Sequence, residues 1–139
     1  MKTIFELIID GEIPSTKIYE DDICISILDI NPVNKGHALV ISKTRYPVFT
    51  QCPKEELSHM MEIAKKIDLK LRDELKCEGT NILINNDPAS GQEVFHLHIH
   101  VIPRYTNDGN KFNFNKKTYS DGEINKMGEL LKIWEKYLL

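Results

Sequence analysis

The stretch His96-Leu97-His98-Ile99-His100-Val101-Ile102 constrains this chain more than any other. Imidazoles alternate with aliphatic residues, and Phe95 and Val101 extend the apolar set. Successive side chains of a β-strand point to opposite faces. The spacing therefore stands all three rings in one row and turns Leu97, Ile99 and Val101 into a core. Neighbouring histidines then have alpha carbons roughly 6–7 Å apart, so two rings reach the same small group. A sheet face meant only for burial excludes such a polar row. From the residues alone, a metal site and a nucleophilic phosphate site are both open. Only His37 and His59 lie outside the row.

The length of 139 residues suits one domain, 1–139, that gains from dimerisation. A formal net charge of −3 argues against a nucleic-acid polymer as partner, since no basic stripe is present. It leaves a small nucleotide open, because one phosphate needs only local donors. Cys24, Cys52 and Cys77 are odd in number and widely spaced, and read as reduced thiols of a cytoplasmic protein. The N-terminal stretch carries Glu6, Asp10 and Glu12 and reads as neither a signal peptide nor a membrane span.

Residues 3–10 place Ile4, Phe5, Ile8 and Ile9 at helical spacing and stop at Gly11, before a turn at 12–15. Strands 17–20 and 23–29 join at Asp21-Asp22, with Ile23, Ile25 and Ile27 on one face. Cys24 and Leu28 are apolar too, as in a sheet covered on both sides. A loop at 31–36, with Pro32 and Gly36, leads into a strand at 37–42. A long helix is expected with Cys52 as a poor cap, Pro53 as first helical residue and Glu55 in its first turn. Its stripe is Leu57, Met60, Met61, Ala64, Ile67, Leu71 and Leu75, and Gly79 ends it. His59 and Lys65-Lys66 read as solvated surface. A strand at 81–85 and a polar segment at 86–93 lead to the histidine strand, which Pro103 and Arg104 close. Residues 105–118 are polar, with Phe112 and Phe114 interleaved. Ser120 and Glu123 form a capping box for a terminal helix with Ile124, Met127, Leu131, Trp134 and Leu138 on one face. Two long helices and about five mainly antiparallel strands make an α+β domain.

With these residues in view, the sequence resembles the histidine triad family of nucleotide-binding hydrolases and transferases, and within it the purine nucleoside phosphoramidase branch. The family motif, His-x-His-x-His and two hydrophobic residues, matches residues 96–102. Further likenesses run in family order: Ile4-Phe5 through Ile8-Ile9, residues 11–15, Tyr19-Glu20-Asp21-Asp22, Leu28-Asp29-Ile30, Gly36-His37, Leu39-Val40-Ile41, Asn85 and Gly91-Gln92-Glu93-Val94. They cover residues 3–105 closely and the rest loosely.

The resemblance implies a homodimer with one sheet continuous across both protomers, no cofactor, and a purine nucleotide substrate. It assigns His98 as nucleophile toward the alpha phosphorus, giving a nucleotidyl-histidine that water resolves. The carbonyl of His96 would hold the proton on the far nitrogen of that ring. His100 would face the non-bridging or leaving oxygen, with His37 as a supporting histidine behind His96. Asp29 resembles the ribose ligand. Ile4, Phe5, Ile8, Ile27 and Ile30 resemble the apolar wall around the base, and Asn85, Gly91 and Gln92 the phosphate side. Glu93 stands where some members carry serine, and an ionised carboxylate repels a polyphosphate. Many bacterial relatives bind a structural zinc, but Thr3, Glu6 and Arg45 occupy the corresponding places, so no metal site is expected and the first helix should hold by packing alone. The expected activity is hydrolysis of nucleoside 5′-phosphoramidates or related adenylated small molecules. The alternatives are a dinucleoside polyphosphate hydrolase, a nucleotide-binding adaptor with vestigial activity, and a metallohydrolase using His96, His98 and His100.

Overall fold

The computed structural model describes residues 1–133 of the chain. Five strands, β1 (Lys17–Glu20), β2 (Cys24–Leu28), β3 (Ala38–Ser42), β4 (Gly79–Leu83) and β5 (His98–Arg104), form one sheet in the order β1-β2-β3-β5-β4. Every neighbouring pair is antiparallel. Helices α1 (Ile4–Ile9), α2 (Lys54–Leu75) and α3 (Glu123–Leu131) complete an α+β architecture.

The apolar runs of β2 and β3 follow from burial on both faces of the sheet. On one face, Cys24, Val40, Ile99 and Val101 pack with Met60, Ile63, Ala64 and Ile67 of α2. On the other, Ile25, Ile27, Leu39 and Ile41 pack with Phe5 of α1. Two clusters with one sheet between them resolve the imperfect alternation of the β2 sequence. Ile23 departs from the expected face: it precedes β2 and packs on the α2 side.

Several boundaries differ from the sequence reading, each for a local reason. Pro53 is the N-cap of α2, with extended backbone and no capping side chain, so Cys52 lies before the cap. The helix ends at Leu75, because Lys76 turns left-handed with φ 55° and its N–H returns to the carbonyl of Arg72. Gly79 is therefore free to start β4 opposite Arg104, two residues earlier than expected. Met61 and Leu75 are exposed, whereas Ile63, which the expected stripe omits, is buried. His59 is bound to the β1–β2 turn, its Nε2 2.5 Å from Oδ2 of Asp21. Helix α3 has Gly122 at its N-cap, and the expected box survives as Ser120 bonded to Oε1 of Glu123, at 2.9 Å through its backbone N–H and at 3.4 Å through its hydroxyl. Ile124, Met127 and Leu131 are exposed, and Trp134 and Leu138 lie outside the described residues. No helix among the described residues is long and apolar enough to cross a membrane.

Candidate functional site

β5 lies between β3 and β4, so its histidines stand on an interior strand, one in from the β4 edge. His98 faces Ile41 and His100 faces Leu39 across β3, on the side covered by α1. The row exists as the alternation requires: the His98 and His100 rings are 4.9 Å apart, and Phe5 meets His98 edge-on at 4.9 Å and His96 at 5.7 Å. His96, however, precedes the regular ladder, which begins at His98 rather than at 96. Leu97 and Ile99 are buried on the opposite face, while Phe95 is about half exposed at 47%.

The hydrogen bonds fix where each proton sits, because a carbonyl only accepts and a backbone N–H only donates. His98 Nδ1 lies 2.7 Å from the His96 carbonyl, so Nδ1 carries the proton and Nε2 keeps its lone pair. His37 Nδ1 accepts the Val33 N–H at 3.1 Å. The neutral His37 ring then holds its proton on Nε2 and donates to His100 Nδ1 at 2.9 Å, so His37 stands behind His100 and not behind His96 as expected. His100 is left with an Nε2–H. His96 gives its Nε2–H to the carbonyl of Ser42 at 2.7 Å and accepts from the Thr3 hydroxyl at 2.9 Å.

All four rings are neutral in this arrangement, and burial is the main reason. It lowers the pKa of His37, His96 and His98 below the ordinary histidine value. His100 falls to about 4 through burial and the neighbouring His98 and His37 rings. Asp29 pulls the other way, with Oδ2 3.8 Å from His37 Nε2.

The remaining expected residues surround this row unevenly. Asp29 follows β2, and its Oδ1 accepts the Asn31 N–H at 2.8 Å. Phe5 and Ile27 are buried, Ile8 packs on their cluster, and Ile4 and Ile30 are exposed. Gly36 holds φ 99°, and an added Cβ would meet Leu75 at 2.6 Å, so a glycine brings the chain into His37. Asn85 is half-buried just after β4. Gly91 is left-handed with φ 101°. The Gln92 amide ties its loop to the segment after β3: Oε1 accepts the Asp87 N–H at 2.7 Å, and Nε2 donates to the Pro47 carbonyl at 2.8 Å. Glu93 is exposed, and its charge favours protonation of His98.

Sequence reasoning missed Val33, Ser42 and the part played by Thr3. The Thr3-x-x-Glu6 spacing is a capping-box signature, and the box is complete: Glu6 N–H to Thr3 Oγ1 at 3.1 Å and Thr3 N–H to Glu6 Oε1 at 3.0 Å. Arg45 adds a 3.5 Å ion pair to Glu6, so α1 does not hold by packing alone. The three-histidine metal arrangement is not formed, since both ring nitrogens of His96 are bound to protein groups. The donor clusters among the described residues are instead Asp29-His37-His100 and Asp21-Cys24-His59. An apolar groove of about 510 Å³, lined in part by Ile18, Leu28, Ile63 and Leu71, opens on the α2 side and holds none of the histidines.

The fold is shared with known proteins. The HIT domain model matches residues 10–107. An uncharacterised HIT-like protein of Methanocaldococcus jannaschii is 45% identical over 111 residues, 80% of this chain and 85% of the relative. The adenylylsulfatase HINT3 of Arabidopsis thaliana is 41% identical over 105 residues, 76% of this chain and 53% of the relative. The crystal structure of a HIT-family protein from Bacillus subtilis superposes with a TM-score of 0.85 at 36% identity, over 94% of this chain and 95% of that one. A family match over most of the chain, spanning the strand that holds the histidine row, means that this protein belongs to the HIT family, which includes nucleotide hydrolases.

Proposed function

We propose that this protein hydrolyses nucleoside 5′-phosphoramidates or related adenylated small molecules through a nucleotidyl-His98 intermediate. The observation that carries the reading is the bare Nε2 of His98, whose partner nitrogen is tied to the His96 carbonyl. A neutral ring held in that tautomer is a ready nucleophile. Its lone pair forms the bond to the alpha phosphorus as the P–N bond breaks, and the amine leaves with a proton. The Nε2–H of His100 donates a hydrogen bond to the oxygen where negative charge develops and keeps its proton, so the leaving amine takes its proton from water and a hydroxide remains. Water then attacks the phosphorus, the P–His98 bond breaks, and the proton of that water neutralises the hydroxide left by the first step. The phosphate product and the free ring close the cycle.

Asp29 suits the ribose hydroxyls, and Phe5, Ile8 and Ile27, with Ile4 and Ile30 at the rim, suit a purine base. Asn85, Gly91 and Glu93 edge the phosphate side, where Gln92 braces the loop. The three free, buried cysteines suit a reducing cytoplasm. The Arabidopsis relative, an adenylylsulfatase, adds adenylyl sulfate to the candidate substrates. A vestigial adaptor has no use for a tautomer fixed in this way, which weighs against that reading.

The test is a substrate panel with acid quench. Adenosine and guanosine phosphoramidates, adenylyl sulfate, and dinucleoside tri- and tetraphosphates are compared, with and without chelator. Turnover of a phosphoramidate and labelled nucleotide trapped on His98 are the expected results. An adduct on His96 or His100, or activity lost to chelator, would overturn the proposal.

A further inference from the structure

We infer that Thr3 is a positioning residue for the nucleophile, acting through the His96 ring; this rests on the reading of His98 as nucleophile. The two residues are 93 positions apart, yet Thr3 Oγ1 lies 2.9 Å from His96 Nδ1. The direction of that bond follows from its neighbours. Thr3 Oγ1 already accepts the Glu6 N–H, so its own proton is available for His96. His96 Nε2 donates to Ser42, so Nδ1 has only a lone pair to offer. The ring is gripped at both nitrogens and is fully buried.

The grip matters because the carbonyl of the same residue sets the tautomer of His98. His96 lies outside β5, and no regular β3–β5 register orients it. The Leu97 N–H on the Tyr46 carbonyl, at 2.6 Å, holds one side of the peptide that follows. The His96 N–H on the Val94 carbonyl, at 2.8 Å, is a second anchor, and the clamped ring is the third and the only one made by the side chain. Without the hydroxyl, a buried lone pair on Nδ1 loses its donor, which drives the ring toward another tautomer or another position. The alternative Nδ1–H tautomer sets a lone pair against the Ser42 carbonyl, so the whole residue shifts. The carbonyl then drifts from His98 Nδ1, and part of the population carries the His98 proton on Nε2, where it blocks attack. The cost falls on the chemical step wherever the cap of α1 is kept, since Asp29 and the wall residues Ile4, Phe5 and Ile8 then stay in place.

Three variants of the full chain separate this role from capping of α1. Thr3→Ser keeps cap and donor. Thr3→Val loses both at nearly constant shape. Thr3→Asp is a strong N-cap that accepts from Glu6 but has no proton to give. Histidine nitrogen NMR at neutral pH reads the tautomers directly, and kcat and KM are measured with an adenosine phosphoramidate. Wild type and Thr3→Ser should show one His98 species with the proton on Nδ1. Thr3→Val and Thr3→Asp should show mixed His98 tautomers. Their kcat should fall about tenfold, within the roughly 10–100-fold seen when the orienting partner of a metal-bound imidazole is lost. In Thr3→Asp, which keeps the cap of α1, KM should stay within about twofold. A single Nδ1–H species and wild-type kcat in Thr3→Val would overturn the inference. So would full recovery in Thr3→Asp, which would make the residue a helix cap alone. Mixed tautomers in Thr3→Val, in a protein that turns over no nucleotide, would support the positioning role and sink the hydrolase reading.

Discussion

His98 and His100 carry their protons on opposite nitrogens. His98 Nδ1 donates to the His96 carbonyl at 2.7 Å, whereas His100 Nδ1 accepts from His37 at 2.9 Å. With the rings 4.9 Å apart, one offers an Nε2 lone pair and its neighbour an Nε2–H. The motif treats the two residues alike. The difference arises from what lies behind each ring: a strand-end carbonyl for one, and for the other a histidine that already accepts the Val33 N–H. An attacking base and a hydrogen-bond donor thus come from identical side chains.

Replacing His98 by alanine should remove the nucleophile and leave the pocket around Asp29, Ile30 and Asn85 largely intact. Calorimetric affinity for the nucleoside monophosphate should stay within about tenfold, roughly 1.4 kcal/mol. Single-turnover rates should fall at least several thousandfold, because the covalent route is gone. Near-normal turnover in this variant would end the nucleophile assignment whatever the affinity.

His100→Ala should leave a slow enzyme. Loss of one donor to developing charge costs on the order of 10²–10³ in rate. The check is kcat with the best phosphoramidate of the panel, measured beside His98→Ala. If the two variants are equally dead, His100 does more than stabilise charge.

The buried rings also make stability depend on pH. An unfolded histidine takes its proton near 6.5, while folded His100 takes one only near about 4, because burial opposes the charge. The unfolded state therefore binds more protons between these values, and stability rises with pH across that window. It should be fully present above 6.5 and be lost as pH falls toward 4, with the lowered pKa values of His37, His96 and His98 adding to the slope. Urea midpoints measured from pH 7 to pH 4.5 should decline steadily, and His100→Gln should flatten the decline. A midpoint constant over that range would show that the rings are not held neutral by burial.

How much of this was legible depends on the range of the interaction. The period of two fixed the facing of His98 and His100 against Leu97, Ile99 and Val101, since strand geometry leaves no other choice. The same reasoning extended the strand back to His96, where the ladder has already stopped. Lys76 ended α2 through a left-handed turn that the more suitable Gly79 seemed to promise. The grip of Thr3 on His96 joins residues whose contact no local pattern encodes, although the Thr-x-x-Glu cap beneath it was readable. Gln92 shows the converse: a side chain that looks free for a ligand in the sequence spends its amide on Asp87 and Pro47.

Glu93 should tune the leaving group. It is exposed at the loop beside His98, where its charge is felt. Like charge disfavours a polyphosphate, and screening of an exposed group keeps the effect small. Glu93→Gln should raise kcat/KM for a dinucleoside tetraphosphate about threefold, with the phosphoramidate changing little. The ratio of the two measured at low and physiological salt is the readout. An unchanged ratio at low salt would remove Glu93 from leaving-group choice.

The outer edge of β4 supports the last prediction, a homodimer. β4 pairs with β5 on one side only, and the sheet order leaves its other edge without a strand. Ile82 on that strand and Met61 on α2 are both about 42% exposed and line one shallow apolar groove with Phe49 and Ile84. An open strand edge beside exposed apolar side chains is a template for pairing. Antiparallel pairing of two β4 strands would extend the sheet through both copies and cover Ile82 and Met61 together. Light scattering at micromolar concentration should give about twice the 16.1 kDa chain mass. Ile82→Lys places a charge on the edge, a device that keeps strands apart, and should shift the mass toward one chain. Because Ile82 is exposed in the single chain, the variant should keep its far-ultraviolet circular dichroism. A wild-type protein that scatters only as a 16.1 kDa species would exclude the dimer. A variant that stays dimeric would move the interface away from β4.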